Sequence, residues 1–390
     1  MKAKTVELHL LQSFPPSCVN RDGNNSPKDC TFGGYRRARI SSQCLKRAIR
    51  QAPIFREIVE EVGVRSKHYR DRKVIPLLSE MGWGSDAEAI ADVFLTQLAK
   101  PEQKDEGLTS VGLYFGDAEL RELLRRFVEE VGIERIRTAA AKKGRAGEDD
   151  ESGAADKGKG RKKEKGKIEW APKSVSVCAD VALFGRMLAE ATNLNVDAAA
   201  QVAHAISTHR LSQEMDYWTA VDDLKDASAG EDAGAAMLGT AEFNASVFYR
   251  YACVSLPILA SNLGDEEMAR KTVEAFLLAS YDAIPSGKLN GHAHFNPPLF
   301  ALAVVRRRGM PLNLCNAFQE PVRPEEGRDL STVSAQRLLD HLARMRAMVT
   351  TDEAFYAYAH ALAPEPQNPC MDVEQLEGYR RLVSRVLEEI

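Results

Sequence analysis

The chain is 390 residues long, 44% hydrophobic and 28% charged, a composition that suits a soluble globular protein of two or three lobes. Its net charge of −4 excludes a globally basic nucleic-acid binder, and no apolar run approaches the ~20 residues of a membrane span. Seven cysteines without a C-x-x-C pair suit free thiols in a reducing compartment, and MKAKTVELHLLQSF lacks a signal-peptide core, so a cytoplasmic protein is expected.

The charge is unevenly spread. Residues 1–50 hold ten Lys/Arg against three Asp/Glu, a net of +7 that leaves −11 for the other 340 residues. Such a concentration points to a local anionic partner.

In chain order, TVELHLLQSF alternates Val6, Leu8 and Leu10 with Glu7 and His9, the pattern of a half-buried strand. PPSCVNRDGNNSPKD reads as a loop, and residues 42–51 as a helix capped by Ser41 or Ser42. Helical patterns near 54–62, 86–99 and 118–137 form a helical lobe. Residues 142–167 have no aromatic and nothing more apolar than alanine, which predicts a disordered charged insertion. SVSVCADVALF then alternates like a strand, while DAAAQVAHAISTH fits either a helix or a strand. FNASVFYRYACVSL is a strand with Val247, Tyr249, Tyr251 and Cys253 in step. DEEMARKTVEAFLLASYDAI is a helix, LFALAVVRR a buried strand, and two helices near 333–349 and 372–390 close the chain.

Without insertions the order is strand, helix, strand, strand, helix, strand, the split βαβ arrangement of ferredoxin-like and RNA-recognition folds. No RNP aromatic motif is present, so the sheet face is not the expected RNA platform.

The basic segment KDCTFGGYRRARISSQCLKRAIR, residues 28–50, offers other surfaces. On a helical wheel Gln43, Lys46, Arg47 and Arg50 share one face and Leu45, Ala48 and Ile49 the opposite one. The helix N-terminus at Ser41-Ser42 presents amides and hydroxyls to an anion. Gly33-Gly34 permits close backbone approach or positive φ, and Arg36, Arg37 and Arg39 follow. Together these groups suit consecutive phosphates of a strand.

The stretch LHLLQSFPPSCVNRDGNNSPKDCTFGGYRRARISSQCLKRAIR resembles the N-terminus of the CasC family, the backbone (Cas7-type) subunit of the type I-E CRISPR Cascade complex. DVALFGRM, QVAHAISTHRLSQEMDYWTAVDDL, LGTAEFNASVFYRYA, PSGKLNGHAHFNPP and CNAFQEPV extend the resemblance over about residues 6–50 and 173–323. It implies an α+β fold: a modified RNA-recognition-motif (ferredoxin-like) palm, a helical fingers lobe and an extended thumb. The palm then comprises 1–50, 168–207 and 244–330, the fingers 51–141 and the thumb 208–243, with C-terminal helices in 331–390. It implies phosphate contacts at Arg21, Lys28, Ser41, Gln43, Lys46 and Arg50. Copies would line up along one CRISPR RNA beside large, small, Cas5-type and Cas6-type subunits, each thumb kinking the guide that pairs with target DNA.

In the expected thumb, Tyr217 and Trp218 either wedge between bases or pack in the protein's own core. Met187 of FGRM either fills the core or packs on a base, and Lys288 of SGKLNG sits in a basic Gly-rich loop that is not a P-loop. His204, His209, His292 and His294 lack Cys or Glu at ligand spacing, so no metal or cofactor is expected. Two other functions remain open. One is a metal-dependent ribonuclease, for which Asp22 and Asp29 are the candidate loop aspartates, and the other a scaffold of protein alone. The type I-E resemblance favours a subunit that is not an enzyme.

Overall fold

The apolar run from Thr5 builds β1 (Thr5–Ser17), a strand long enough to continue through Pro15-Pro16 by way of a bulge after Phe14. The hairpin β2 (Asp29–Phe32) and β3 (Tyr35–Ile40) precedes α1 (Ser42–Gln51) and α2 (Pro53–Val59). Next come β4 (Val64–Ser66), α3 (Ile75–Glu80), α4 (Ala87–Leu98), β5 (Leu113–Phe115), α5 (Asp117–Val131), α6 (Ile133–Glu148) and α7 (Ala179–Phe184). The chain continues as β6 (Ala200–Val202), β7 (Ala205–Ser207), β8 (Glu214–Ala220), β9 (Met237–Ser255), α8 (Leu256–Leu263), α9 (Glu266–Asp282) and α10 (Leu289–His292). It ends with β10 (Phe300–Arg308), α11 (Leu330–Met348), β11 (Glu353–His360), β12 (Glu374–Gln375) and α12 (Tyr379–Glu389). This computed structural model describes residues 3–102, 105, 107–148, 168–220 and 237–390, and none of its helices is long and apolar enough to cross a membrane.

The fold is α+β, and the chain divides into two units: residues 1–59, 200–257 and 269–390 form one, and residues 60–199 and 258–268 the other. In the first, ten strands make a mostly antiparallel sheet in the order β12-β11-β10-β1-β9-β7-β3-β2, with β6 and β8 also pairing β9. DAAAQVAHAISTH resolves as the two short strands β6 and β7, both laid along β9. On one face of the sheet Leu45 and Ile49 of α1 are buried. Leu45 packs in a cluster with Phe14, Ile40 and Phe248.

The opposite face is closed as well. Leu11, Tyr249, Tyr251, Phe300 and Leu302 lie beneath Leu312, Phe318 and the Val333–Leu342 side of α11. Consequently β1 is not half-buried: Glu7 and His9, read from the alternation as solvent-facing, are both at most 1% exposed. Glu7 accepts from Arg306 Nε at 2.8 Å and from the Leu312 amide at 2.6 Å. The Tyr249 hydroxyl accepts from the Leu314 amide at 3.0 Å. These bonds fasten the covering segment to the sheet.

The second unit has its own core from α3 to α6, with the small β4–β5 ladder beside it. Three expectations are corrected there. SVSVCADVALF forms no strand but ends in the helix α7, because the buried Asp180 carboxylate accepts from the Gly63 amide (2.8 Å) and the Tyr114 hydroxyl (2.5 Å) and Gly185 closes the helix at φ 75°. Residues 168–199, expected in the palm, belong to this unit because Ile168, Leu188 and Leu194 pack in its core. The helix α6 runs on to Glu148, past the expected start of the insertion, and residues 149–167 lie outside the described ones. At the C-terminus, β11 and β12 separate two helices that the sequence pattern places in succession.

Gly33 and Gly34, at φ 60° and 82°, form the two-residue turn of the β2–β3 hairpin, as a primed turn requires. Any side chain at Gly33 would overlap the Gln319 carbonyl, so the close approach inferred for this glycine is to the protein itself. The adjacent Arg37 corrects a second expectation. It is fully buried, with Nη1 donating to the Ser207 and Thr208 carbonyls (both 3.0 Å) and Nη2 to those of Phe318 (2.7 Å) and Gln319 (3.2 Å). Four backbone acceptors occupy the two terminal nitrogens of this buried guanidinium, which makes Arg37 a structural joint and not a phosphate ligand.

Replacing Arg37 with Ala should therefore destabilise the first unit by about 3 kcal/mol, because four buried carbonyls lose their donor. Thermal denaturation without RNA measures this, and an unchanged melting temperature would return Arg37 to the ligand class. A second expectation concerns His9, whose Nδ1 lies 2.9 Å from the Tyr249 hydroxyl. Burial, and then the Arg306 charge, push its pKa down to about 3. The unfolded imidazole protonates near pH ~6.5, so this contribution is complete above that pH and declines as pH falls towards the folded value. At pH 5 the loss is about 2 kcal/mol. In denaturant titrations at pH 7 and pH 5, His9→Gln should lose about that much less than the parent chain. Equal losses would show that His9 does not titrate in this way.

Candidate nucleic-acid interface

The α1 helix is held by a cap and a histidine. Ser41 Oγ accepts from the Cys44 amide at 3.3 Å, as an N-cap does, and the Ser41 amide donates to Asn20 Oδ1 at 2.8 Å. The Ser42 amide donates to His204 Nδ1 at 3.3 Å, and Arg39 Nη1 approaches the same nitrogen at 3.2 Å. Burial, then the Arg39 and Lys28 charges, lower the His204 pKa and keep the ring neutral to accept. Two first-turn amides are thus engaged within the protein, and the N-terminus is less open to an anion than the sequence implies. Ser42 is half-buried and Gln43 exposed.

Along α1, Arg47 is exposed while Lys46 and Arg50 are half-buried. Burial lowers the Lys46 pKa. Ala48, read as part of the buried stripe, instead lines a surface cleft with Arg47. Upstream, Arg36 is exposed and pairs with Asp29, with Nε to Oδ2 at 2.9 Å. Arg39 donates from Nε to the Asp29 carbonyl at 3.1 Å. Lys28 is half-buried in the loop that leads from Asn20 to the hairpin, its amide bonded to the Asn20 carbonyl. Arg36, Arg39, Lys28 and the α1 cations therefore surround one hairpin-helix junction.

The cleft beside α1 has a volume of about 630 Å³. It is lined by Arg21 and Asn25 from the loop after β1, by Arg47 and Gln51 from α1, and by residues 282–287 and Phe295. Arg21 donates to Asn25 Oδ1 at 2.8 Å. Lys288 is half-buried in the adjoining loop at φ 46°, where a side chain is strained. A side chain at Gly287 would overlap the Val19 carbonyl, so the Lys288 loop lies directly on the strand-to-loop segment that carries Arg21.

Trp218 is not a core residue. It lies on the two-stranded ribbon of β8 and the start of β9, opposite Gly239, 40% exposed, with its indole over that glycine. The register places Met215, Tyr217 and Leu238 on one face of the ribbon, and Trp218 and Met237 on the other. All five are exposed. The expected thumb tip, residues 221–236, lies outside the described residues. In the second unit Met187 is 88% exposed, beside a buried Arg186 that is held bidentately by Glu119 at 2.7 and 2.8 Å. Core packing is excluded for both Trp218 and Met187.

Asp22 Oδ1 accepts from the amides of Asn24 (2.8 Å) and Ser26 (3.0 Å), and Asp29 pairs with Arg36. Among the described residues no three His, Cys, Asp or Glu side chains are grouped to hold a metal. The sequence reading weighed His204 only as a metal ligand and passed over Phe295, whose signal is a phenylalanine in the otherwise polar, Gly- and Pro-rich GHAHFNPP.

Two solved structures resemble the whole chain. One, described as a CRISPR RNA-guided surveillance complex, pre-nicking, shares 29% identity at a TM-score of 0.79 and covers 98% of this chain and 99% of that one. The other, a CRISPR RNA-guided surveillance complex, shares 26% identity at a TM-score of 0.69, covering 99% and 100%. No curated protein matches. These likenesses support the Cas7-type resemblance drawn from the sequence, and the family model for CT1975-like proteins matches residues 6–380. The chain belongs to the CT1975-like protein family.

Proposed function

We propose that this protein is a CRISPR RNA-binding backbone subunit of a type I-E Cascade complex. Several copies line up along one guide, hold its phosphate backbone, kink it with the thumb and present its bases to target DNA. The observation that carries the reading is the arrangement of the first unit. Both faces of its sheet are buried, while Arg21, Lys28, Arg36, Arg39, Lys46, Arg47 and Arg50 lie on its edge hairpin, on α1 and on the loops beside it. Scattered cations on rigid elements suit a strand of consecutive phosphates, read without regard to base.

The strand order β10-β1-β9-β7, with β1 first in the chain and β10 last, supports the reading of this unit as a modified RNA-recognition palm. The helical unit corresponds to the fingers and the β8–β9 ribbon to the thumb. On that ribbon, and at Met187, exposed apolar side chains are available to part stacked bases. End-to-end likeness to chains of RNA-guided surveillance complexes adds to this, and the large, small, Cas5-type and Cas6-type subunits are the proposed neighbours. A ribonuclease is the weaker reading, because Asp22 and Asp29 are each engaged by their own chain.

Two measurements test the proposal. Replacing Lys46 and Arg50 with Ala should weaken binding about equally for any RNA sequence and leave the fold intact. Each lost phosphate contact on a single strand lowers the log–log salt slope by about 0.7, so the pair should lower it by roughly 1.4. Wild-type affinity and slope at several salt concentrations would refute the assignment. Purified protein incubated with labelled guide and Mg²⁺ or Mn²⁺ should leave the RNA intact. Cleavage that disappears in Asp29→Ala would establish the ribonuclease instead.

A further inference from the structure

The loop after α10 places an aromatic ring in solvent by an unusual route. His294 and Asn296, on either side of Phe295, are both anchored to the protein. His294 is fully buried, with Nε2 3.0 Å from the Pro285 carbonyl oxygen and its ring edge-on to Phe14. The Asn296 carbonyl accepts from Gln12 Nε2 at 2.6 Å. Gln12 in turn accepts from Arg250 Nη1 at 2.6 Å, and Arg250 Nη2 donates to the Ser280 carbonyl in the last turn of α9 at 2.7 Å. All three of these side chains are buried, and the end of a helix is where a cation without a carboxylate partner is favoured. Between the two anchors, Phe295 is 67% exposed on the wall of the cleft that Arg21 and Arg47 also line.

The backbone is strained to hold this arrangement. Among the described residues four non-glycine residues have positive φ, and three of them, Asn25, Lys288 and Ala293, lie in the two loops that bound the cleft. Each such conformation costs on the order of 1 kcal/mol and concentrates where geometry serves a ligand. A phenylalanine in an unconstrained loop would turn inwards to bury its ring.

We propose that the cleft is a subsite for a single nucleotide of the bound RNA, with the base stacked on Phe295 and its phosphate held by Arg21 and Arg47. The inference rests on the RNA-binding reading above and adds to it a base-contacting residue outside the thumb. The cleft volume of about 630 Å³ lies within the range of small-ligand sites, roughly 300–1,000 Å³. An aromatic platform beside cations is the recurring solution for a single-stranded nucleotide, tolerant of sequence because every base has a π-face. Of the two carboxylates on the wall, Asp22 turns back onto the amides of its own loop. Asp282 stands on the stretch opposite α1, where it disfavours a second phosphate.

The test uses the full chain freed of RNA and a single-stranded RNA short enough to hold one copy. Phe295→Ala should weaken binding by about 5- to 150-fold, the effect of removing one stacked base, with no change in salt slope. Phe295→Trp should bind as the parent does, and its added fluorescence should be quenched by the RNA. A set of RNAs each carrying one abasic position should contain a member for which parent and Phe295→Ala bind alike, since the partner of the ring is then already absent. Equal binding of parent and Phe295→Ala to every intact RNA overturns the subsite. So does a loss confined to longer RNAs that hold several copies, which would place the ring against a neighbouring protein. If the parent chain itself binds no RNA, the functional reading fails; if it binds normally and only the Phe295 effect is missing, the subsite alone fails.

Discussion

A carboxylate and a guanidinium buried on neighbouring strands determine which surfaces of the first unit can act. Glu7 on β1 accepts from Arg306 on β10, from the Leu312 amide and, at 3.4 Å, from the Tyr251 hydroxyl. Burial pushes the Glu7 carboxyl up against the pull of Arg306, while Arg306, although burial works against its charge, is pushed up by Glu7 and Tyr356. Arg306 Nε and the Leu312 amide can only donate, so both carboxyl oxygens of Glu7 are held as acceptors. Such a pair adds little net stability but is costly to break from one side. Its consequence is positional. By holding Leu312 it keeps the 312–322 segment on the sheet, and the aromatic residues that a bare sheet would offer to RNA, Tyr249 and Tyr251, become core.

With that face closed, the groups proposed to contact RNA stand at the edge of the sheet and on what surrounds it, and several are mounted on something buried. The α1 helix is fixed by Leu45 and Ile49, by the Ser41 cap and by His204 at its first turn. In the second unit the bidentate Arg186–Glu119 pair, with Arg186 also donating to the Leu194 carbonyl at 2.8 Å, precedes the exposed Met187. The cleft repeats the pattern with Gln12 and Arg250 behind Phe295. Buried polar networks of this kind, fully satisfied, rigidify their surroundings. An interface that must hold an extended strand benefits, because side chains fixed before binding lose less entropy on contact.

The sequence made the elements with strong local signals legible. The α1 helix carried both a serine cap and an amphipathic period, β9 carried Val247, Tyr249, Tyr251 and Cys253 in step, and β10 opened on a continuous apolar run. SVSVCADVALF was misread because a short apolar run has no periodicity that separates strand from buried helix, and the deciding contact, Asp180 to Gly63 and Tyr114, spans distant positions. Glu7 and His9 were placed in solvent because alternation assumes one covered face, whereas here a segment some 300 residues later covers the second. Phe295 was invisible for a related reason: nothing local shows that both of its neighbours are anchored.

Arg37 shows why charge in a sequence is not yet a binding site. From composition it is indistinguishable from Arg36 and Arg39, and alternation along β3 parts it from Arg36 while leaving Arg39 on its own side. There it meets four carbonyls from two distant segments, Ser207-Thr208 and Phe318-Gln319. Gly33, four residues earlier, lies against the same Gln319, so FGGYRR and CNAFQE, separated by some 280 residues, form one joint. The same joint fixes the direction in which Arg36 and Arg39 leave the strand. A segment can thus be basic for two reasons at once, and the tertiary partners, more than alternation, divide the arginine that builds the surface from those that the surface presents.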